Sequence, residues 1–156
     1  PLWLGREGLV LINTGSRGAH LVAVRLDDST VGDITESHIV WEVEKGNPRF
    51  SKPIYDSGLI FQINDLGVVQ CIDVTNGEEI WKTRAPGNYR SSPILADGKL
   101  YFFSEDGLGT VLAASRELKK IASSKVEAMG TTACPAVSNG ALFVRGKEKL
   151  FKIQAN

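Results

Sequence analysis

The sequence predicts an all-β protein assembled from repeated four-stranded antiparallel units, and three observations predict it. First, the pattern running from Trp41 to Trp81 starts again about forty residues on. Pro53 falls on Pro93, Gly58 on Gly98, Ile60-Phe61 on Leu100-Tyr101, Gly67 on Gly107 and Cys71-Ile72 on Val111-Leu112. Second, short apolar runs rich in Val, Ile, Leu, Phe and Tyr alternate with Gly, Asn, Asp and Pro, the punctuation of strands and turns. Third, no segment carries a convincing helical pattern. The nearest is Val111 to Val126, whose interior has good helix propensity, but the repeat places Val111-Leu112 on a strand and Ile121 on the position of Trp81. It reads as strand, turn, strand.

Taken in order, the first unit covers about residues 1–43, with strands at Pro1–Leu4, Leu9–Asn13, His20–Leu26 and His38–Val43. Between its last two strands lies an insertion, Asp27 to Glu36, about eight residues longer than the tight turn used elsewhere; being polar, it is expected as an exposed loop. The second unit, 44–83, has strands at Lys52–Asp56, Leu59–Ile63, Val68–Asp73 and Glu79–Thr83. Asp56-Ser57-Gly58 and Asn64-Asp65-Leu66-Gly67 supply its turns, and Asn76-Gly77 is its strongest short hairpin signal. The third unit, 84–123, repeats this at Ser91–Ala96, Lys99–Ser104, Gly109–Ala114 and Leu118–Ser123. The fourth, 124–156, has only Thr131–Val137, Ala141–Arg145 and Lys149–Ile153, so its outer strand is missing.

Four-stranded antiparallel units with a period near forty are the signature of β-propeller blades. A blade cannot cover both of its own faces, so neighbours must do it, and the set must close into a ring or cover its ends. Four blades are about half of an eight-bladed ring, the expected whole; four-bladed propellers also exist, so a self-closed ring is the alternative. No spare strand is expected ahead of Leu2 in this sequence to supply the fourth blade's outer strand, and an open Lys149–Ile153 edge is an aggregation hazard. A second copy or an amino-terminal half is therefore expected to complete the propeller. The start at Pro1, with no initiator Met and no signal pattern, reads as a cut.

Composition narrows the class of function. Eighteen basic residues balance eighteen acidic ones, so no overall field draws nucleic acid or an anionic membrane. No apolar run approaches a membrane span. Cys71 and Cys134 each fall in an expected strand, in units that are not neighbours, and are expected as two buried thiols.

Trp41 and Trp81 occupy matched places in the outer strands. Each could bury about 200 Å² between blades, roughly 5 kcal/mol at about 25 cal/mol/Å². The surrounding residues make the pattern specific. Cys71-Ile72-Asp73-Val74-Thr75-Asn76-Gly77-Glu78-Glu79-Ile80-Trp81 resembles the tryptophan-docking motif of quinoprotein-like propellers, Ala-x-Asp-x-x-Thr-Gly-x-x-x-Trp. Asp73, Gly77 and Trp81 match it, Cys71 replaces the Ala and Asn76 the Thr. Ser91 to Tyr101 resembles the companion motif of the inner strands, and Leu142 to Ile153 the carboxyl end of such proteins. The resemblance implies a PQQ-like repeat propeller, periplasmic or at the cell surface. That family holds dehydrogenases using pyrroloquinoline quinone (PQQ) with Ca²⁺, and cofactor-free binding proteins. The docking motif is common to both and reports scaffold, not chemistry. The enzymes also resemble one another in an adjacent, disulfide-bridged cysteine pair, which this sequence lacks, and nothing in it matches their Ca²⁺-ligand or catalytic-acid motifs.

His20 and His38 lack metal-ligand spacing. Asp27, Asp28, Asp33 and Glu36 depart from the Asp-x-Asp-x-Asp-Gly Ca²⁺ loop. Thr14-Gly15-Ser16-Arg17-Gly18 is neither a nucleophile elbow nor a phosphate loop, and Glu105-Asp106 reads as turn chemistry. The polar stretch Asn88 to Ser92 and its counterpart Pro48 to Ser51 lead into inner strands, beside the expected channel mouth. Arg49, Tyr89 and Arg90 are the residues expected to line it, with a protein segment or glycan as ligand. Trp41, Asp73, Gly77 and Trp81 are assigned to blade docking. No catalytic, cofactor or metal residue is assigned. The expected function is a non-catalytic binding or scaffolding module, with a fragment of a PQQ- and Ca²⁺-dependent dehydrogenase as the alternative.

Overall fold

Alternation along one strand, Leu59–Ile63, dictates how the molecule is built. Leu59, Phe61 and Ile63 point to one side and Ile60 and Gln62 to the other, and all five are buried. A strand buried on both faces needs a sheet on each side, and the computed structural model provides them. It describes residues 1–14, 18–28, 30–125 and 131–154. Among these, fifteen strands form four antiparallel sheets and there is no helix.

The first sheet is β1 (Leu2–Leu4), β2 (Leu9–Asn13), β3 (Leu21–Arg25) and β4 (Ile39–Val43). The second is β5 (Ile54–Asp56), β6 (Leu59–Ile63), β7 (Val68–Asp73) and β8 (Glu79–Arg84). The third is β9 (Ile94–Ala96), β10 (Lys99–Phe103), β11 (Leu108–Ala113) and β12 (Lys120–Lys125). The fourth has three strands among the described residues, β13 (Ala136–Ser138), β14 (Ala141–Arg145) and β15 (Leu150–Gln154). Every sheet follows chain order, the meander expected of a blade. The helix-prone segment after Val111 is strand, turn and strand, because β11 and β12 complete a sheet that a helix would leave open.

Three inner hairpins turn on two residues at positive φ, Ser57-Gly58, Asp97-Gly98 and Asn139-Gly140. That backbone twist matches the strands it joins. The Asn76-Gly77 connection is different from the two-residue turn its sequence predicts. Asp73 N–H bonds Glu78 O at 2.9 Å and Gly77 N–H bonds Asp73 O at 2.9 Å, which leaves four residues in the loop. Of these, Gly77 alone has a positive φ. Asp73 is the reason: its Oδ1 accepts the Thr75 amide at 3.0 Å and the Thr75 hydroxyl at 2.5 Å, winding the chain into a wider turn.

That loop is where the first sheet docks. The Trp41 indole N–H donates to Val74 O at 2.9 Å, and the ring lies on Gly77, where a Cβ would come within 2.8 Å of its carbons. Trp81 repeats the contact one sheet on, donating to Ser115 O at 3.0 Å. The pairing of each third strand with its outer strand shifts register at matched points, between Ala23 and Val24, Cys71 and Ile72, and Val111 and Leu112. Register corrects one expectation. Cys71 pairs with Trp81 and Val111 with Ala122, so Ala122, not Ile121, holds the tryptophan position in the third sheet. Its β11–β12 loop is one residue longer than β7–β8, since Ala113 N–H bonds Lys119 O where Asp73 bonds Glu78.

The packing follows from this. Leu4, Leu11, Leu21, Trp41, Ile60 and Ile72 fill the first junction, and Phe61, Ile63, Val69, Tyr89, Leu100 and Phe102 the second. The third, with no indole, has only Phe103 and Val144 fully inside, supported by Tyr101, Leu142, Phe151 and Ile153. A polar seam runs into the first junction. Buried Gln62 donates to Asn47 Oδ1 at 2.9 Å and Gln70 Oε1 at 3.0 Å, and Gln70 donates to Glu79 at 2.8 Å. The corresponding pair in the third sheet is Phe102 and Thr110.

Trp41 is 8 % exposed and Trp81 is half-buried. Trp41→Ala is expected to cost about 3–5 kcal/mol and Trp81→Ala less, in that order on urea unfolding; equal costs would contradict the docking asymmetry. Asp73 is held below the usual carboxylate range by the Thr75 hydroxyl, the Thr75 amide and Arg116, whose Nη1 lies 2.9 Å from Oδ2. A carboxyl depressed in the folded state contributes stability above its unfolded pKa and loses it as pH falls through the folded one. The stability gap between parent and Asp73→Asn should therefore be full at pH 7 and close as pH falls below about 4; a gap independent of pH would remove the carboxylate from the account.

Candidate binding site

The segments leading into the inner strands line up at one end of the sheets. Ser51 Oγ donates to Ile63 O at 2.6 Å and Ser91 Oγ to Phe103 O at 3.0 Å, which pins each lead-in to its own sheet. Between sheets, Lys52 N–H donates to Ser92 Oγ at 2.9 Å and Ser92 N–H to Cys134 Sγ at 3.4 Å. A row of hydrogen bonds therefore crosses three lead-ins and ties them into one rim.

On this rim the expected residues divide. Arg49 and Arg90 are solvent-facing, with side chains 54 % and 58 % exposed. Each pairs through Nε with the β-turn acid of its own sheet, Arg49 with Asp65 and Arg90 with Glu105, the latter at 2.9 Å. The Arg49 amide also bonds Asp65 Oδ1 at 3.2 Å. Tyr89 does not face the mouth. It is 1 % exposed within the second junction, its hydroxyl donates to Pro86 O at 2.9 Å and its amide to Asp65 O at 3.0 Å. Burial pushes its phenol above the usual value. A large apolar ring beside Gly67, where a Cβ would lie 3.2 Å from it, gains more from the interior than from solvent. Tyr89 is a strut under the rim.

Phe50 is the rim residue that the sequence reading passed over. Its ring is 54 % exposed, with Arg49 Cζ 5.5 Å and Arg90 Cζ 5.4 Å from the centroid. The signal that could have found it is an aromatic inside a polar lead-in, flanked by Arg and one repeat away from another Arg. One cavity has Phe50 in its wall, and a second lies beside the Glu105 turn. The first, of about 230 Å³, is lined by Leu2, Leu11, Asn13, Phe50, Lys52 and Pro53; the other, of about 410 Å³, by Glu105, Asp106, Thr131, Thr132, Arg145 and Lys147.

The remaining candidates do not converge. His20 meets Glu42, whereas His38 meets Ser37 at 2.6 Å and lies 3.8 Å from Asp27. Asp33 caps the Thr35 amide at 3.0 Å. Among the described residues no group of three His, Cys, Asp or Glu could hold a metal ion. Glu105 is turned to Arg90, as turn chemistry allows. Residues 15–17 of the Thr14–Gly18 loop, Ser29 of the insertion, and Met129-Gly130 lie outside the described residues. Cys71 is buried as expected, and burial pushes its thiol up to about 12. Cys134 is exposed and precedes β13 instead of lying within it; the row of rim hydrogen bonds, ending on its sulfur, holds it outside the sheet.

Four antiparallel sheets stacked face to face, two junctions closed by an indole on the next sheet's turn, define a propeller fragment of PQQ-like repeats. The family model of the outer membrane protein assembly factor BamB matches residues 4–125. The chain belongs to that family. BamB from Moraxella catarrhalis has a similar structure, with a TM-score of 0.69 and 17 % identity over 94 % of this chain and 43 % of that one. The chain thus spans less than half the length of that protein. The fold is also similar to a europium-containing methanol dehydrogenase (TM-score 0.54, 15 % identity, 75 % of this chain and 22 % of that one). A quinohemoprotein alcohol dehydrogenase from Comamonas testosteroni aligns over 61 % of this chain and 16 % of its own, with a TM-score of 0.52 and 21 % identity. No curated protein matches the sequence. No helix among the described residues is long and apolar enough to cross a membrane.

The two thiols should separate chemically. With Ellman's reagent under native conditions, Cys134 should react within minutes and Cys71 only after denaturation; two fast thiols would place Cys71 outside the core.

Proposed function

We propose that the chain is a non-catalytic binding or scaffolding β-propeller module of an extracytoplasmic protein, periplasmic or at the cell surface. The observation that carries this reading is the rim. The docking residues Trp41, Asp73, Gly77 and Trp81 are used up between sheets, whereas Arg49, Phe50 and Arg90 stand in solvent on a hydrogen-bonded frame. Arginine and aromatic residues are the side chains on which protein interfaces most often concentrate their affinity. Membership of the BamB family, whose name is that of an assembly factor, supports a scaffold role.

A second copy or the amino-terminal half of a longer protein would complete the propeller. The first sheet's outer face supports this. Trp3 and Ile12, of opposite parity to the core residues Leu4 and Leu11, are 55 % and 38 % exposed, an apolar face that further sheets would cover.

The second reading is a fragment of a PQQ- and Ca²⁺-dependent dehydrogenase whose catalytic residues lie elsewhere, favoured by the fold likeness to the methanol dehydrogenase. The adjacent cysteine pair such enzymes resemble one another in is absent from this sequence.

The two readings part in one experiment. The chain, mixed with PQQ and Ca²⁺, is followed by cofactor absorbance and dye-linked alcohol oxidation. A photo-crosslinking side chain is placed in parallel at position 50 or, as a control on the outer strand, at position 120. Adducts with a single partner from position 50 and none from 120 are the expected result. Saturable PQQ binding, the readout open to a fragment whose catalytic residues lie elsewhere, or dye-linked turnover would sink the non-catalytic reading.

A further inference from the structure

We infer that Arg49, Phe50 and Arg90 form a clamp for a carboxylate of an extended peptide, an Asp or Glu side chain flanked by an apolar residue. This rests on the rim being a binding surface, and it names the partner's chemistry there.

Two like charges are brought to one ring. Arg49 and Arg90 come from consecutive repeats, yet their guanidinium carbons sit 5.5 Å and 5.4 Å from the Phe50 centroid. Cations gather at an aromatic face because of its quadrupole, but two of them repel, and each needs an anion. Asp65 and Glu105 supply one apiece, both through Nε. The terminal Nη groups of both arginines make no hydrogen bond to the described residues. A planar fork with free Nη donors is built for a carboxylate. The apolar half of the proposal comes from Phe50, still 54 % exposed, and from the cavity of about 230 Å³ beside it, with Leu2, Leu11 and Pro53 in its wall.

Other polyanions fit less well. Asp65, Glu105 and Asp106 are interleaved with the cations, and the chain's net charge is zero. Such interleaving leaves no uniform basic stripe for the dense charge of an anionic bilayer or a nucleic acid, but tolerates one carboxylate held at a fixed point. A sugar ring would need the aromatic face that the guanidinium groups already crowd.

The test uses the full chain and two fluorescein-labelled peptides, Gly-Ser-Leu-Asp-Leu-Ser-Gly and its Asn counterpart, read by anisotropy, with free succinate as a competitor. Saturable binding of the Asp peptide is expected, with the Asn peptide weaker by about tenfold or more, as for loss of a charge-assisted contact. Arg49→Gln and Arg90→Gln should each lose a similar factor, and Phe50→Ala several-fold, while Lys120→Gln on the outer strand changes nothing. Unchanged circular dichroism would confirm that each variant folds. Succinate should compete weakly, since it lacks the apolar flank.

The clamp would be overturned by no binding of the Asp peptide up to about 1 mM (a weak-contact limit), by equal binding of both peptides, or by binding indifferent to all three rim substitutions. Co-sedimentation with phosphatidylglycerol vesicles that is lost in Arg49→Gln would also overturn it, in favour of a membrane. Equal binding of both peptides, abolished by Phe50→Ala, would end the carboxylate assignment yet leave the rim a binding surface. The non-catalytic reading fails by separate readouts, saturable PQQ binding or dye-linked turnover.

Discussion

A sheet of four short strands has two faces and too little width to hide either, and the whole molecule answers that constraint. Ile60 and Phe61 are neighbours on β6, yet each is fully buried, one against the first sheet and the other against the third. The link that holds those neighbours in place is an indole reaching from an outer strand to the next sheet's turn. Trp41 supplies apolar area to the junction and satisfies the Val74 carbonyl, which would otherwise be an unpaired acceptor under a ring. Gly77 is the other half of the device. A Cβ there would strike the ring within 2.8 Å, and the positive φ excludes most other residues in any case.

The three junctions grade in the order their tryptophans predict. The first has a buried indole on a glycine. The second has a half-buried indole on a longer loop with Ser115 as acceptor. The third has Ala122 in the tryptophan place and a core of few residues. Repeat proteins draw stability from such nearest-neighbour terms, so the fourth sheet is the natural place for the fragment to open first.

Much of the fold was legible because its signals are local. Ser57-Gly58, Asp97-Gly98 and Asn139-Gly140 announce their hairpins through residues that tolerate positive φ, and the repeat then places strands within a few residues. What escaped was set by contacts across the chain. Ala122, not Ile121, takes the tryptophan register because one loop is longer by a residue, which an ungapped alignment cannot see. Asn76-Gly77 looks like a two-residue turn until the Asp73 carboxylate, capping Thr75, widens it. Gln62 and Gln70 are polar letters on inner strands, and nothing local says that they bond each other inside a junction. The candidate site was half legible. Arg49 and Arg90 follow from the repeat, but Tyr89 sits one residue before Arg90 on the same lead-in, and alternation turns it inward onto Gly67. Cys134 was misplaced for the reverse reason: its lead-in belongs to the rim and the strand begins two residues later.

The division between scaffold and function follows from the same geometry. Docking consumes the donors and acceptors of the outer strands and their turns, so the clearest motif of the chain has nothing left for an outside partner. Asp73 illustrates it: Thr75 takes one carboxylate oxygen and Arg116 the other. The lead-ins are different. Their backbones are tied down by Ser51, Ser91 and Ser92, which removes the ordering cost that a loop would otherwise carry into a complex. Their long side chains are only half engaged: each arginine pairs through Nε with its own acid, and its outer nitrogens bond none of the described residues. A rigid frame with partly spent donors is the condition for a specific contact, and in this chain the rim meets it where the docking motif cannot.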